Sequence, residues 1–150
     1  YKRLAQIVFK RKPTLKHFSS LTMQEKRQMY SFSWYIVRCD DITNIAIAGL
    51  FFDFNFNSDG AEKATQKMPN EKYGYNLEVD GIVGNKTISA INEAAAKGLK
   101  EYINNYQDAR TAYVTRIVER SPLQQKFLKG WTNRIEDWRE FALKLIETTV

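Results

Sequence analysis

Asp53 is the only formal charge between Thr43 and Ser58, and it is set among Phe51, Phe52, Phe54 and Phe56. Carrying a carboxylate into an apolar interior is costly unless it is paired, or unless its pKa rises until it is neutral. Two readings follow. In one, Asp53 is a structural carboxylate, paired with a buried arginine or capping a helix end. In the other, Asp53, Asn55 and Asn57 stand at the lip of a cleft and face a sugar, with Asn57 hydrogen-bonding an acetamido or hydroxyl group. Trp34, Tyr35, Trp131 and Trp138 are of the type that stacks on sugar rings, but their helical spacing with other apolar residues suits core packing better. Trp34 and Tyr35 are adjacent and point in different directions, so one of them is expected to be exposed.

Other chemistries find little support. His17 is the only histidine, and no cysteine or carboxylate set with zinc-ligand spacing surrounds it, so no metal is expected. Cys39 is alone, which removes an intrachain disulfide, and it lacks a base partner in sequence. No glycine-rich phosphate loop occurs, and no cofactor is expected. The net charge of +6 and pI near 9.4 suit an anionic partner, and both nucleic acid and the bacterial wall qualify. No nucleic-acid-reading motif accompanies that charge, and the run Lys10-Arg11-Lys12 reads as a solvated face, so nucleic acid is not expected. No apolar run approaches the roughly 20 residues that span a bilayer.

The elements that must position these residues are almost entirely helical. Leu4, Ile7 and Val8 mark a short amphipathic helix over 1–10. Thr22 followed by Glu25 forms the pattern of a capping box, opening a helix that passes Met29, Tyr30 and Trp34 to about Val37. Asn44 caps a segment from Ile45 to Phe56 that is apolar on nearly every side, as a central core helix is. Ala61 to Met68 forms a short helix broken at Pro69, and 71–75 reads as loop. Asp80-Gly81 then makes a tight turn, with Asn85 or Thr87 capping a helix that Gly98 ends near Lys97. Tyr102, Tyr106, Ala109, Tyr113 and Ile117 mark a long amphipathic helix before Ser121-Pro122, and Phe127 to Leu145 mark the last. The expected fold is mainly α, a helical bundle around the buried helix at about 45–57.

Several segments together carry a family resemblance. Leu50-Phe51-Phe52-Asp53 through Asn57-Ser58 resembles the L-x-F-D-x-x-x-N-S-G helix of glycoside hydrolase family 108, with Asp59 where glycine is usual. Trp34 and Asp40-Asp41-Ile42 resemble its Y-W…D-D-L region, with Tyr35 in place of an acidic residue. Val79-Asp80-Gly81 through Asn92 is similar to the turn of the predicted peptidoglycan-binding domain that follows in these proteins, with Asn85 in place of proline. Phe127-Leu128-Lys129-Gly130-Trp131-Thr132-Asn133-Arg134 is similar to the F-x-x-G-W-x-x-R element closing that domain.

The resemblance implies a lysozyme-like N-acetylmuramidase, of a family also described as secretion activators, acting on peptidoglycan glycan strands at the wall, periplasmic or exported. It implies a muramidase-like part over 1–60 and a peptidoglycan-binding part over 61–150, forming one compact unit. Asp53, Asn57, Ser58, Trp34 and Tyr35 would bind substrate. Asp53 would orient water or tune the acid rather than act as nucleophile. The family's acid is a glutamate in an E-G-G motif, which would protonate the leaving oxygen of the bond after N-acetylmuramic acid. This sequence has no E-G-G, so the catalytic residue is unknown. A mobile glycine-rich loop of roughly 30 residues carrying it is expected near Lys10 to Lys12 of the intact protein. Without that loop, a non-catalytic peptidoglycan-binding module or a secretion accessory factor is the alternative. Intact mass decides: the loop predicts a value well above 17.5 kDa, and a value of 17.5 kDa removes it.

Overall fold

The computed structural model describes residues 2–10 and 14–148. Arg11 to Pro13, beside the expected loop, and the side chains of Leu4 and His17 lie outside the described residues. Described residues are helical or in turns and loops, with no strand among them. None of their helices is long and apolar enough to cross a membrane. The chain forms two compact units, Tyr1–Asp40 and Asp41–Val150. That break precedes the helix at 45–57, so the part read as 1–60 contributes to both units.

In the first unit, α1 (Lys2–Phe9) packs on α3 (Met23–Ile36), with the short α2 (Leu15–Ser19) between them in sequence. The capping box forms as expected. Glu25 N–H donates to Thr22 Oγ1 at 3.1 Å, and Thr22 N–H donates to Glu25 Oε2 at 2.9 Å. Near the end of α3, Trp34 is half-buried and its indole N–H donates to Asp40 at 2.8 Å, while Tyr35 is 70% exposed.

The second unit contains α4 (Ile45–Asn57), α5 (Ala61–Tyr73), α6 (Asn85–Lys97), α7 (Leu99–Arg120) and α8 (Gln125–Thr148). Asn44 caps α4, its Oδ1 accepting from the amides of Ala46 and Ile47 at 3.0 and 3.3 Å. Helix α4 packs on α5 and α8, while α7 touches α5, α6 and α8. The interior holds Leu50, Phe51 and Phe54 of α4 and Tyr102, Ile103 and Tyr106 of α7. Phe54 meets the Tyr106 ring edge-on, and Tyr106 stacks on Tyr102. The all-α bundle around a buried helix is therefore the fold, although Ile45 and Phe56 at the ends of α4 are exposed.

Three local expectations are corrected. Helix α5 runs through buried Pro69 to Tyr73 rather than breaking there, and ends at Gly74 in the left-handed region at φ 72°. A proline inside a helix forfeits one backbone bond and crowds the turn before it. Here the following turn is locked from outside, Asn70 bonding both backbone groups of Leu77 at 2.8 and 2.9 Å. The buried face of α7 keeps Tyr102 and Tyr106 of the stripe and then departs from it: Ile103, Gln107, Arg110, Val114 and Val118 are buried, while Ala109, Tyr113 and Ile117 are only partly so. Thr87 does not cap α6. It is buried, and its hydroxyl accepts from Gln66.

Gln66 organises the Asp-Gly turn. Its amide nitrogen donates to Asp80 Oδ1 at 2.9 Å and to the Ile82 carbonyl at 3.0 Å, and its oxygen accepts from Gly81 N–H at 2.8 Å. Asp80 Oδ1 also accepts from Ile82 N–H at 2.8 Å. Gly81, at φ 85°, occupies a conformation that a side chain would strain. Replacing Gln66 with Leu strands these groups, each at roughly 1–3 kcal/mol where buried. A lowered midpoint in urea unfolding at unchanged slope is the expected result. The Ile82 amide, and then Gln66, hold the Asp80 carboxyl below its ordinary range. Its stabilising share is thus complete above the unfolded pKa and is lost as pH falls through the folded one. Asp80→Asn should flatten that acid limb in unfolding measured between about pH 5 and pH 2.

Candidate functional site

A pocket of about 380 Å³ opens at the C-terminal end of α4. Asn57, Ser58 and Asp59 form one wall, and Arg110, Tyr113 and Ile117 of α7 with Trp131 and Arg134 of α8 form the others. Behind it lies Asp53, 3% exposed, between two arginines. Arg110 Nη1 stands 2.7 Å from Oδ2, and Arg134 Nε donates to Oδ1 and Oδ2 at 3.0 and 3.2 Å. Asn57 closes the arrangement, its amide nitrogen donating to the Asp53 carbonyl at 2.8 Å and to Oδ1 at 3.2 Å.

The two cations differ in setting. The Arg110 side chain is 4% exposed, with its guanidinium over the Phe54 ring at 5.1 Å, and that of Arg134 is 52% exposed. A buried carboxylate in this company is an ionised anchor, held by charge-assisted bonds. The reading of Asp53 as a paired structural carboxylate therefore describes its place. It lies behind the pocket, while Asn57 and Ser58 line it.

Packing fixes the pocket's rim as well. Gly60 N–H donates to the Tyr113 hydroxyl at 3.2 Å, and a Cβ on Gly60 would come within 2.8 Å of that ring. Only glycine fits against Tyr113 without moving it. Tyr113 also meets Phe54 edge-on at 5.4 Å. Trp131, read from spacing as core, instead lines the pocket and stacks on Phe127 one turn earlier, with ring centroids 5.8 Å apart. Trp138 is the packing tryptophan, its ring lying 3.2 Å from where a Cβ on Gly49 would stand.

Asp53, Asn57 and Ser58 thus come together in the second unit, whereas Trp34 and Tyr35 belong to the first. The sequence does not single out Arg110, and Trp131, although of the type that stacks on sugar rings, reads there as core. The signal for Arg110 was its fall three and four residues from Gln107, Tyr106 and Val114 on one face. Among the described residues no cluster of three or more His, Cys, Asp or Glu side chains forms. Cys39 is buried, and burial, with the Asp40 charge adding to it, pushes its thiol up to about 12. So little thiolate exists at neutral pH that nucleophilic chemistry there is disfavoured.

The asymmetry of the two arginines yields a direct test. Asp53→Ala leaves Arg110 buried without its counter-charge and should cost about 3–5 kcal/mol. Arg134→Ala removes a half-exposed partner and should cost roughly 1 kcal/mol or less. Replacing Asp53 and Arg110 together by Leu and Met should recover most of the first loss. Urea unfolding of the three variants measures all of these.

No curated protein sequence matches the chain. Its fold is similar to a solved structure described as that of Brucella abortus SagA, with 27% sequence identity and a TM-score of 0.75, covering 95% of this chain and 76% of that one. Residues 61–136 match the family described as the predicted peptidoglycan domain, a span of half the 150 residues. That span takes in the Asp-Gly turn and the pocket residues Arg110, Trp131 and Arg134, while Asp53, Asn57 and Ser58 precede it. The chain belongs to the predicted peptidoglycan domain family, and its function is directed at peptidoglycan.

Proposed function

We propose that this protein is a lysozyme-like peptidoglycan hydrolase of the glycoside hydrolase 108 type. It would cut the glycosidic bond after N-acetylmuramic acid, with a glutamate supplied by an E-G-G loop of the intact protein. The observation carrying this reading is the convergence of two family-like segments on one pocket. The helix with Asp53, Asn57 and Ser58 comes from the part read as muramidase-like, and Trp131 with Arg134 comes from the part read as wall-binding.

The residues take distinct roles. Asn57 and Ser58 offer hydrogen bonds to a sugar, and Trp131 supplies a ring face. Asp53 acts as a positioning residue: its charge fixes Arg134 and, through Asn57, the end of α4. Trp34 and Tyr35, which the family resemblance also assigns to substrate, lie in the first unit. The protonated acid gives its proton to the leaving oxygen while water or a second group attacks the anomeric carbon, the division of labour common to these hydrolases.

A second reading has its own support, since the sequence contains no E-G-G. In it the chain binds peptidoglycan without cutting it, or serves as a secretion accessory factor. Incubation with insoluble bacterial wall separates the three. A hydrolase sediments with wall, lowers turbidity and releases new reducing ends. Sedimentation alone indicates a binding module, and neither effect indicates the accessory role. Under the first two readings, Trp131→Ala should weaken sedimentation about tenfold, or about 1.4 kcal/mol. Undiminished binding by that variant would move the glycan off this pocket.

A further inference from the structure

The corner where α7 turns into α8 presents apolar side chains that the fold leaves in water. Leu123 is 84% exposed, more than any other large apolar side chain among the described residues, and Phe127, one turn on, is 46% exposed. The corner itself is well ordered by backbone bonds. Ser121 N–H donates to the Ile117 carbonyl and Gln124 N–H to the Ser121 carbonyl, both at 2.9 Å. Pro122 opens the short helical turn Pro122–Gln124, where its ring restricts the chain's direction. Leu123 is thus held outward by a fixed backbone, and little ordering remains to be done when a partner covers it.

The charge around this corner is nearly all of one sign. From 109 to 135 six residues are basic, and Glu119 is the only acid. Arg110 and Arg134 are committed to Asp53. The other four, Arg116, Arg120, Lys126 and Lys129, are exposed, and none of them is in an ion pair among the described residues. Less the charge of Glu119 they carry +3, half of the chain's +6. Lys126 lies over the Phe127 ring at 5.1 Å, so its stem shields apolar surface while its ammonium stays outside. A soluble polyanion would meet the cations but not the protruding leucine. A second copy would cover the leucine but set like charges against each other across a two-fold axis. An anionic lipid surface meets both features.

We propose that the α7–α8 corner is a peripheral docking site for an anionic membrane surface, with Leu123 and Phe127 entering the boundary between headgroups and acyl chains and the four cations meeting lipid phosphates. The spacing along the helices suits that depth. Phe127 stands about 6 Å behind Leu123 along the helix axis, within the roughly 5–10 Å that an interfacial segment enters. Arg120 and Lys126 are in the turns next to the tip, and Arg116 and Lys129 lie one turn, about 5 Å, further back. Trp131, eight residues on from Leu123, is about 12 Å from the tip, so the pocket stays in water. No helix among the described residues can cross a bilayer, so the contact is made from one side. The docking site stands independently of which ligand the pocket takes.

Sedimentation of the full chain with lipid vesicles tests this. Vesicles of equal parts phosphatidylglycerol and phosphatidylcholine should carry the native protein down, and vesicles of phosphatidylcholine alone should not. Raised salt should weaken the binding. Leu123→Ser should lower affinity for the anionic vesicles about tenfold while leaving the urea midpoint unchanged, because the side chain it replaces is exposed. The double variant K126Q/K129Q should lose on the order of twenty-fold, each cation near an anionic surface contributing about fivefold. Binding that Leu123→Ser leaves intact would reduce the contact to charge alone and overturn the inserted tip. Binding to immobilised polyphosphate as tight as to the vesicles would assign the corner to a polyanion instead. Self-association abolished by Leu123→Ser, without vesicle binding, would assign it to a second copy. Absence of any vesicle binding by the native protein also overturns the proposal.

Discussion

The buried carboxylate of Asp53 is the constraint around which the second unit is arranged. It lies on the most apolar helix of the chain, and taking one charge into such a place is unfavourable without partners. The partners come from residues 57 and 81 positions further along, Arg110 on α7 and Arg134 on α8. A single side chain therefore sets the register of three helices. Buried ion clusters of this kind add little net stability compared with apolar replacements, but they penalise any packing that separates the charges. Specificity of arrangement is what Asp53 contributes, and the pocket is a consequence of that arrangement.

Around that anchor, α7 and α8 are joined by polar contacts that serve the same end. Gln107, wholly buried, donates to the Ile135 carbonyl at 2.7 Å, one residue beyond Arg134. Further along, Arg139 donates to Asn104 Oδ1 at 3.1 Å and to Asp108 Oδ1 at 2.7 Å. These bonds are spaced along the helix pair, and each has a fixed geometry that hydrophobic contact lacks. Sliding α8 along α7 would break them together. Trp131 and Arg134 are consequently held to one depth and one rotation relative to Asn57 and Tyr113.

Local signals in the sequence were read well where a side chain bonds its own neighbourhood. Thr22 with Glu25 and Asn44 with Ala46 act within four residues, so spacing alone reveals them. The buried apolar character of α4 was equally legible, because periodicity cannot hide a segment apolar on nearly every side. Long-range polar partners were not. Nothing local marks Gln66 as the residue that holds Gly81, or Arg110 as the partner of Asp53. A buried glutamine or arginine looks like surface until its partner is known, which is why spacing on α7 points to Tyr113 rather than Arg110. Pro69 misled for the converse reason. Its cost is local and visible, whereas the Asn70–Leu77 bonds that hold the following turn depend on how the chain returns.

The Asp-Gly turn shows how a recognisable motif and the pocket come to be different places. Its conspicuous residues bond within the scaffold, Asp80 accepting from Ile82 N–H and Gln66 and Gly81 donating to Gln66, and Thr87 is absorbed into the same set of bonds. That leaves the turn with structural work on α5 and α6. The last residue of the segment, Asn92, spends both ends of its amide on the chain before α4, accepting from Thr43 N–H and donating to the Asp41 carbonyl, each at 2.9 Å. The turn thus fixes α6, and α6 fixes the entry to α4. The exit of α4 carries Asn57 and Ser58 into the pocket. A family signature at the turn and a pocket at the far end of another helix are linked through this chain of bonds, with no ligand needed at the turn itself.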